Sequence, residues 1–221
     1  EAIKAGNDIL LIPQDVPATV SLIKKSIELN TLTKERINFS VRKILVAKYW
    51  MGLQKYKPTS LDNIDSDINS IEDEILHRKL VKNSITLLKN SKRNIPIANL
   101  DYKKIAYIKL GDASNRAYVN MLQNYAKVDI ISRKNLSELI YALDAYDLVI
   151  IGFHKSNDNP WKSYKFSDKE ITWLQEIARK KEVILNVFTS PYALLQLKSF
   201  ENIESILVSY QNSVLAQELS A

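Results

Sequence analysis

The segment that we predict as a loop over residues 155–166 carries side chains of the kind that contact sugars. Aromatic rings can stack on the apolar face of a sugar, and amide groups can hydrogen-bond to its hydroxyls. The polar and aromatic residues of this loop are Asn157, Asp158, Asn159, Trp161 and Tyr164. Asn159 and Trp161 are therefore candidate substrate-binding residues. The alternative, which we favour, is an ordinary surface loop whose aromatic side chains pack back onto the sheet.

His154 is the third candidate, because it opens this loop at the carboxyl end of a predicted strand. Open α/β sheets bind their ligands at that end of the strands. The interpretation that we favour is nevertheless a solvated loop histidine. The other histidine, His77, lies in a predicted amphipathic helix, and neither has a second ligand at helical or loop spacing. We therefore expect no metal site.

Two glycines end predicted strands. Gly111 leads through Asp112 and Ala113 into a helix whose first amides could hold an anion. However, the further glycines of a dinucleotide-binding turn are missing, and so is a phosphate-binding loop. We interpret Gly111 and Gly152 as residues that a strand end needs for its conformational freedom. No cofactor is expected.

No catalytic group can be named from the sequence. The chain has no cysteine, which excludes cysteine nucleophiles, disulfides and thiolate metal sites. It also lacks the Gly-x-Ser-x-Gly turn of α/β-hydrolases. Carboxylates are plentiful, but a glycosidase pair is defined by its separation in space, which spacing along the chain does not give.

Composition is that of an ordinary globular protein with a substantial core, at 46% hydrophobic and 25% charged residues. The net charge of +6 comes from lysines spread along the chain, without a dense basic run, so we expect no nucleic-acid partner. No stretch approaches the roughly 18 apolar residues that span a bilayer.

The region after Pro96 alternates between short apolar runs and helical patterns. This alternation predicts an α/β fold, a mostly parallel open sheet with helices on both faces. The predicted strands are 105–110, 128–132, 148–153, 183–188 and 206–210, with a further short strand at 85–88. The predicted helices between them are 114–125, 135–146, 168–181 and 192–200.

The region before residue 54 has a different pattern. Ile9 to Ile12 is a continuous apolar run, typical of a strand buried on both faces. Helices are predicted from about Asp15 and from near Thr33, the second ending at Gly52. Residues 54–66 are turn-prone and poor in apolar residues, which predicts a linker. A helix capped by Ser70 follows, with a predicted buried side made of Ile75, Leu76, Leu80 and Val81.

Three stretches together resemble family 3 glycoside hydrolases. The stretch from Ala2 to Pro13 is similar to the family's last barrel strand, and the one from Arg36 to Leu53 resembles the helix that closes the barrel. The third, from Ser84 to Ile97, is similar to the opening of the family's second domain. The resemblance implies a barrel remnant over 1–53, the linker at 54–66, and a flavodoxin-like α/β sandwich domain over 67–221 that ends short. It also implies that the barrel is of the TIM type.

The resemblance further implies what this chain does not contain. The family's nucleophile is an aspartate on an earlier barrel strand, and the sugar-holding residues also lie upstream. None of these is matched here, so we expect the chain to be a non-catalytic scaffold whose carbohydrate partner binds through the barrel. Both chain ends resemble boundaries inside a longer protein. The family resemblance also implies a periplasmic or secreted location.

One departure from the family pattern bears on the sugar. Family members that act as β-glucosidases carry a Glu-Gly-x-Asp-Arg motif after the strand that ends at Gly152, and the loop here lacks it. The bacterial β-N-acetylglucosaminidase (β-N-acetylhexosaminidase) branch does not need that motif, and the stretch from Lys48 to Pro58 resembles enzymes of that branch. The resemblance thus favours a retaining enzyme that removes terminal β-linked N-acetylglucosamine. The alternatives are a β-glucosidase, a non-catalytic carbohydrate-binding or interaction module, and an unrelated flavodoxin-like regulator.

Overall fold

The computed structural model describes residues 1–156 and 158–221 and divides into two compact units. The first unit is Glu1–Ile64 and the second is Asp65–Ala221. The division falls inside the predicted linker 54–66. Asn157, one of the polar residues of the predicted loop, lies outside the described residues.

The first unit consists mainly of two capped helices, α1 (Val16–Glu28) and α2 (Lys34–Trp50). Asp15 caps α1 by accepting the Ala18 amide at 2.8 Å, and the Thr33 hydroxyl caps α2 by accepting the Arg36 amide at 3.1 Å. A 3₁₀ turn, Leu53–Lys55, follows α2 after Gly52, which has a φ of 76°. These helix starts agree with the predicted starts at about Asp15 and near Thr33.

The strand predicted at Ile9 to Ile12 is wrong for this chain, since these residues form neither strand nor helix. A buried parallel strand needs hydrogen-bonded neighbours on its flanks, and the described part of the first unit contains no other strand. Most of the apolar side chains of this unit are also exposed, with Leu32 its one described buried hydrophobic residue. Its apolar sides thus have little to pack against within the unit.

The second unit begins with two helices, α3 (Ile64–Ile68, starting at the division) and α4 (Ile71–Ser84), and continues with a six-stranded sheet. The strands are β1 (Thr86–Asn90), β2 (Ile105–Gly111), β3 (Val128–Ile130), β4 (Leu148–His154), β5 (Val183–Phe188) and β6 (Ser205–Val208). The helices between and after them are α5 (Arg116–Tyr125), α6 (Leu136–Leu143), α7 (Asp168–Lys180) and α8 (Val214–Leu219).

The sheet confirms the predicted fold class. Its order is β1-β6-β5-β4-β2-β3, with β2 to β6 parallel and β1 antiparallel to β6. The five parallel strands follow the flavodoxin-like order, in which the chain starts in the middle and the direction of strand addition reverses between β2 and β4. Ligands of such sheets bind beyond the carboxyl ends of the two strands at that switch point.

Both faces of the sheet are buried. One face packs under α6, α7 and the 3₁₀ segment Pro191–Gln196, with Ile151, Phe153 and Leu174 in its core. The other packs under α5, with Tyr107, Tyr118 and Phe188 in its core. Burial on both faces explains why β4 and β5 are mostly apolar, with His154 and Asn186 as their buried polar residues.

Two elements of the second unit differ from the sequence prediction. The helix predicted over 192–200 is the short 3₁₀ segment Pro191–Gln196, which starts one residue after Ser190. On α4, Val81 is buried as predicted, but Ile75, Leu76 and Leu80 are exposed. The predicted buried side of α4 is therefore wrong for this chain, because α4 lies at the margin of the unit, where only one turn reaches the core.

None of the described helices is both long and apolar enough to cross a bilayer.

Candidate functional site

The three candidate residues belong to the carboxyl edge of the sheet, at the switch point between β2 and β4. Gly111 is the last residue of β2 and pairs in register with His154, the last residue of β4. The segment after β2 and the 155–166 loop after β4 therefore leave the sheet side by side. This is the place where the fold class binds ligands.

Side chains of the chain itself occupy the space at the switch point. The Glu170 carboxylate accepts the Gly111 amide at 2.6 Å and the Ser167 amide at 2.8 Å, the latter as part of a capping box on α7. Lys155 pairs with Asp112 at 3.6 Å. A Cβ on Gly111 would lie 2.0 Å from the His154 carbonyl oxygen, and its φ is 87°. The positive φ and this close approach support the interpretation of Gly111 as a turn glycine, and the Glu170 carboxylate already accepts the amide that an anion would need.

The far end of the 155–166 loop is fixed to the core. The Phe166 ring stacks on Phe153 with centroids 3.6 Å apart. The Phe166 amide donates to Gln196 Oε1 at 2.8 Å, and Gln196 Nε2 donates back to the Phe166 carbonyl at 3.2 Å. This end of the loop is therefore held by both packing and paired hydrogen bonds.

Trp161 lies at the exposed part of the loop. Its side chain is 90% exposed, and the Asn159 side-chain oxygen accepts the Trp161 amide at 2.8 Å. Asn159 thus shapes the turn that presents the indole to solvent. The favoured expectation that the loop aromatics pack back onto the sheet is wrong for Trp161, and Tyr164, the other aromatic residue named for this loop, is 38% exposed.

His154 is fully buried, so the interpretation as a solvated loop histidine is wrong. As the last residue of β4, it points its ring into the aromatic cluster on the α5 side of the sheet. The ring stacks on Phe188 at 4.3 Å between centroids, and Tyr118 lies 5.9 Å away. Burial lowers the pKa of the imidazole to about 4, against the weaker opposing effect of its Asn212 hydrogen bond. The ring is therefore neutral near pH 7, and its burial keeps it from direct contact with a ligand at the surface.

Two further aromatic residues lie at this edge and were missed by the sequence analysis. Tyr192 follows β5 and is 66% exposed, and Tyr210 follows β6 with a φ of 61° and is 40% exposed. Because β4, β5 and β6 are neighbours in the sheet, these two residues and Trp161 follow three adjacent strand ends. An aromatic residue just after a buried apolar run is the sequence signal that could have found them.

The first unit holds one polar cluster of its own, centred on Asp8. One carboxylate oxygen accepts Arg36 at 3.2 Å and Ser40 at 2.8 Å, and the other accepts Lys43. The hydrogen bond from Lys43, with those from Ser40 and Arg36, lowers the pKa of Asp8 to about 2. The cluster joins the segment before α1 to α2 and neutralises the carboxylate with cations, so it has the character of a structural tie.

No metal-binding arrangement is present among residues 1–156 and 158–221, since no three of their His, Asp and Glu side chains come together. His77 is exposed on α4. Every buried side-chain nitrogen and oxygen of the described chain has a hydrogen-bond partner.

The chain was compared with known proteins, and no family model matches it. Lysosomal β-glucosidase of Dictyostelium discoideum is 27% identical over 107 residues, which are 48% of this chain and 13% of that protein. This chain therefore spans only a small part of the length of that curated relative.

Solved structures resemble nearly the whole chain. The β-glucoside phosphorylase BglX matches with a TM-score of 0.76 at 17% identity, over 99% of this chain and 41% of that one. A fungal multi-domain GH3 β-N-acetylglucosaminidase matches with a TM-score of 0.69 at 18% identity, over 99% and 26%. A β-glucosidase from Listeria innocua matches with a TM-score of 0.66 at 18% identity, over 90% and 32%. At these identities the likeness concerns the fold, and this chain spans less than half of each of these structures.

Proposed function

We propose that this chain is the non-catalytic scaffold part of a retaining family 3 glycoside hydrolase that removes terminal β-linked N-acetylglucosamine. The observation that carries the proposal is that the sequence resemblance and the fold of the α/β unit point to the same family. The stretches that resemble the family come in the family's order, and the α/β unit behind them has the fold of β-glucosidase, phosphorylase and GH3 β-N-acetylglucosaminidase structures.

The Asp8 cluster supports the same assignment. It joins the first family-like stretch, through Asp8, to the second, through Arg36, Ser40 and Lys43. The residues that carry the resemblance thus meet in space as one structural tie. The cluster thus holds the segment that resembles the last barrel strand against the helix that resembles the one closing the barrel, although that segment forms no strand here.

The scaffold role rests on the residues present. The switch point of the sheet is filled by Glu170 and Lys155, and the one buried histidine is sealed in the core. A barrel needs a closed ring of strands, whereas residues 1–64 form none in the described structure. The exposed apolar sides of α1 and α2 suit surfaces that other parts of a barrel cover.

The reaction of the whole enzyme would use a carboxylate nucleophile outside the printed sequence. A retaining glycosidase forms a covalent glycosyl-enzyme, which water then hydrolyses with a second group acting first as acid and then as base. In this proposal the α/β unit orients the barrel and its loops, and the enzyme acts outside the cytoplasm. In this proposal the chain itself supplies neither the nucleophile nor the group that acts as acid and base.

The choice of sugar depends on the 155–166 loop. The loop lacks the Glu-Gly-x-Asp-Arg motif that the resemblance associates with β-glucosidases, which favours N-acetylglucosamine. The β-glucosidase alternative is favoured by the partial match to a lysosomal β-glucosidase of Dictyostelium discoideum. A second candidate function, sugar recognition without catalysis, is favoured by the exposed indole of Trp161.

The first experiment compares the printed chain with a longer protein that carries a complete barrel upstream of Glu1. Both are assayed for hydrolysis of p-nitrophenyl β-N-acetylglucosaminide and of the corresponding β-glucoside. We expect turnover of the first substrate by the longer protein and none by the printed chain, because the nucleophile lies in the added part.

Other outcomes overturn separate parts of the proposal. Turnover by the purified printed chain would exclude the scaffold role. Cleavage of the β-glucoside alone by the longer protein would keep the family and reject the sugar. A longer protein that cleaves neither substrate but binds the sugar would support the recognition module.

A further inference from the structure

His154 occupies a position between the core and the candidate sugar loop. It is the last residue of β4, its ring is fully buried, and the 155–166 loop starts at the next residue. Phe188 stacks on one side of the ring, which limits its movement. A change in the position of this residue must therefore change where the loop leaves the sheet.

The hydrogen bonds of the ring define its protonation. His154 Nδ1 lies 2.7 Å from Asn212 Oδ1, and Nε2 lies 2.8 Å from the Tyr107 hydroxyl. The Asn212 amide is oriented by its own Nδ2, which donates to the Ser114 carbonyl at 2.9 Å. Because an amide oxygen only accepts, Nδ1 carries the proton, and Nε2 accepts from Tyr107.

The same residue ties the start of its own loop to two other segments of the carboxyl edge. Through its ring and Asn212 it holds the segment after β6. Through its carbonyl it accepts the Ala113 amide at 3.1 Å, which holds the segment after β2. A Cβ on Gly152 would lie 2.4 Å from Nε2 and 2.6 Å from the Tyr107 hydroxyl, so glycine is required for the ring to reach Tyr107.

We propose that His154, as a neutral imidazole protonated on Nδ1, is the positioning residue of the 155–166 loop. Since the far end of the loop is fixed at Phe166, the near end at His154 sets where Trp161 is presented. The consequence for sugar contact rests on the proposed function, whereas the positioning itself does not.

The test uses the indole N–H signal of Trp161 in the printed chain, read from a ¹H–¹⁵N spectrum. Tyr107→Phe removes the hydroxyl that donates to His154. Tyr118→Phe removes a hydroxyl from an equally buried neighbouring ring that is hydrogen-bonded to Asn186. We expect the Trp161 signal to move by more than its linewidth in the first variant and to stay in place in the second.

Equal movement in both variants, or no movement in Tyr107→Phe, would overturn the positioning role. A second measurement on the unchanged chain covers the case in which Tyr107→Phe does not fold. Two-bond ¹H–¹⁵N correlations of the imidazoles should show a protonated Nδ1 and a bare Nε2 on His154, with exposed His77 as the reference in the same spectrum. A proton on Nε2 would contradict the inference.

A titration of the chain with the β-linked dimer of N-acetylglucosamine separates this inference from the proposed function. Saturable movement of the Trp161 signal supports sugar contact. Absence of movement at millimolar sugar would reject sugar contact by this loop, while the two tyrosine variants would still decide whether His154 positions it.

Discussion

At the scale of single residues, the structure shows how neighbours decide the state of an ionisable side chain. His154 is surrounded by tyrosine, phenylalanine and amide groups, and burial outweighs its hydrogen bond to Asn212 in setting the pKa. Asp8 is in the opposite situation, because Lys43, Ser40 and Arg36 all donate to its carboxylate and lower its pKa to about 2. The surroundings of each side chain thus favour a neutral His154 and a charged Asp8.

The pKa of His154 predicts an acid-sensitive fold. In the unfolded chain the imidazole has its ordinary pKa of 6.5, and in the folded chain the pKa is about 4. Below pH 6.5 the unfolded chain binds a proton on this ring before the folded chain does. The unfolding free energy is therefore unaffected by His154 above pH 6.5 and decreases as the pH falls towards 4. The expected loss of unfolding free energy between pH 7 and pH 4.5 is about 2.5 kcal/mol. Urea unfolding at pH 7 and pH 4.5 measures it.

His154→Gln is the control for this prediction, because it removes the titrating ring. Its unfolding free energy should depend less steeply on pH than that of the unchanged chain over the same interval, although carboxylates contribute to both. Parallel loss of stability in the two proteins would show that His154 does not account for the acid sensitivity.

At the scale of elements, the 155–166 loop places two aromatic residues in opposite environments. Phe166 stacks on Phe153 inside the core, and Trp161 stands in solvent five residues earlier. A loop with this construction has a rigid end that contributes to stability and an exposed part that is free to contact another molecule. The contribution of each aromatic residue to the unfolding free energy can be measured with one substitution at Phe166 and one at Trp161.

Phe166→Ala should lower the unfolding free energy by about 3–5 kcal/mol, because it leaves a cavity against Phe153 and β4. Trp161→Ala should change it by about 0.5 kcal/mol or less, since the indole is exposed. Urea unfolding of the two variants beside the unchanged chain gives both values. A large loss in Trp161→Ala would mean that the indole packs on the protein in solution.

The sequence predicted those elements whose burial pattern is complete within the chain. Strand β5 has the predicted bounds, Val183–Phe188, because both of its faces are covered by neighbouring elements. Ile9 to Ile12 shows the same apolar pattern but forms no strand, since its hydrogen-bond partners are missing from the unit. An apolar run indicates that a segment is suited to burial, but it forms a strand only where neighbouring strands are present to pair with it.

The candidate site was predicted less well, for a related physical reason. His154 and Trp161 both follow the strand predicted over 148–153, and nothing in their local sequence distinguishes a ring that turns into the core from one that turns outward. His154 is buried because Gly152 leaves room for it beside Tyr107 and because Asn212, from a distant segment, accepts a hydrogen bond from its Nδ1. Such pairings between residues 58 positions apart are set by the fold.

At the scale of the whole molecule, the two units differ in how much core each contains. Leu32 is the one hydrophobic residue of Glu1–Ile64 among the buried hydrophobics of the described chain, and the others lie in Asp65–Ala221. Because burial of apolar surface is the main favourable contribution to folding, the second unit should fold without the first.

Residues 65–221 expressed alone should unfold in one cooperative urea transition and retain protected backbone amides in β2, β4 and β5. Residues 1–64 expressed alone should show helical circular dichroism at most, without a cooperative transition. A cooperative transition in the short fragment, or its absence in the long one, would contradict this assignment of stability.

The pairing of β1 with β6 has a consequence for the order of events during synthesis. Thr86 pairs in register with Val208, so the first strand of the sheet cannot form its hydrogen bonds until the last strand has been synthesised. At about 5–20 residues per second, a ribosome needs roughly 6 to 24 seconds to make the intervening 120 or so residues. During that interval the backbone N–H and C=O groups of Thr86–Asn90 have no partner strand, and chaperone demand should be greatest for this segment.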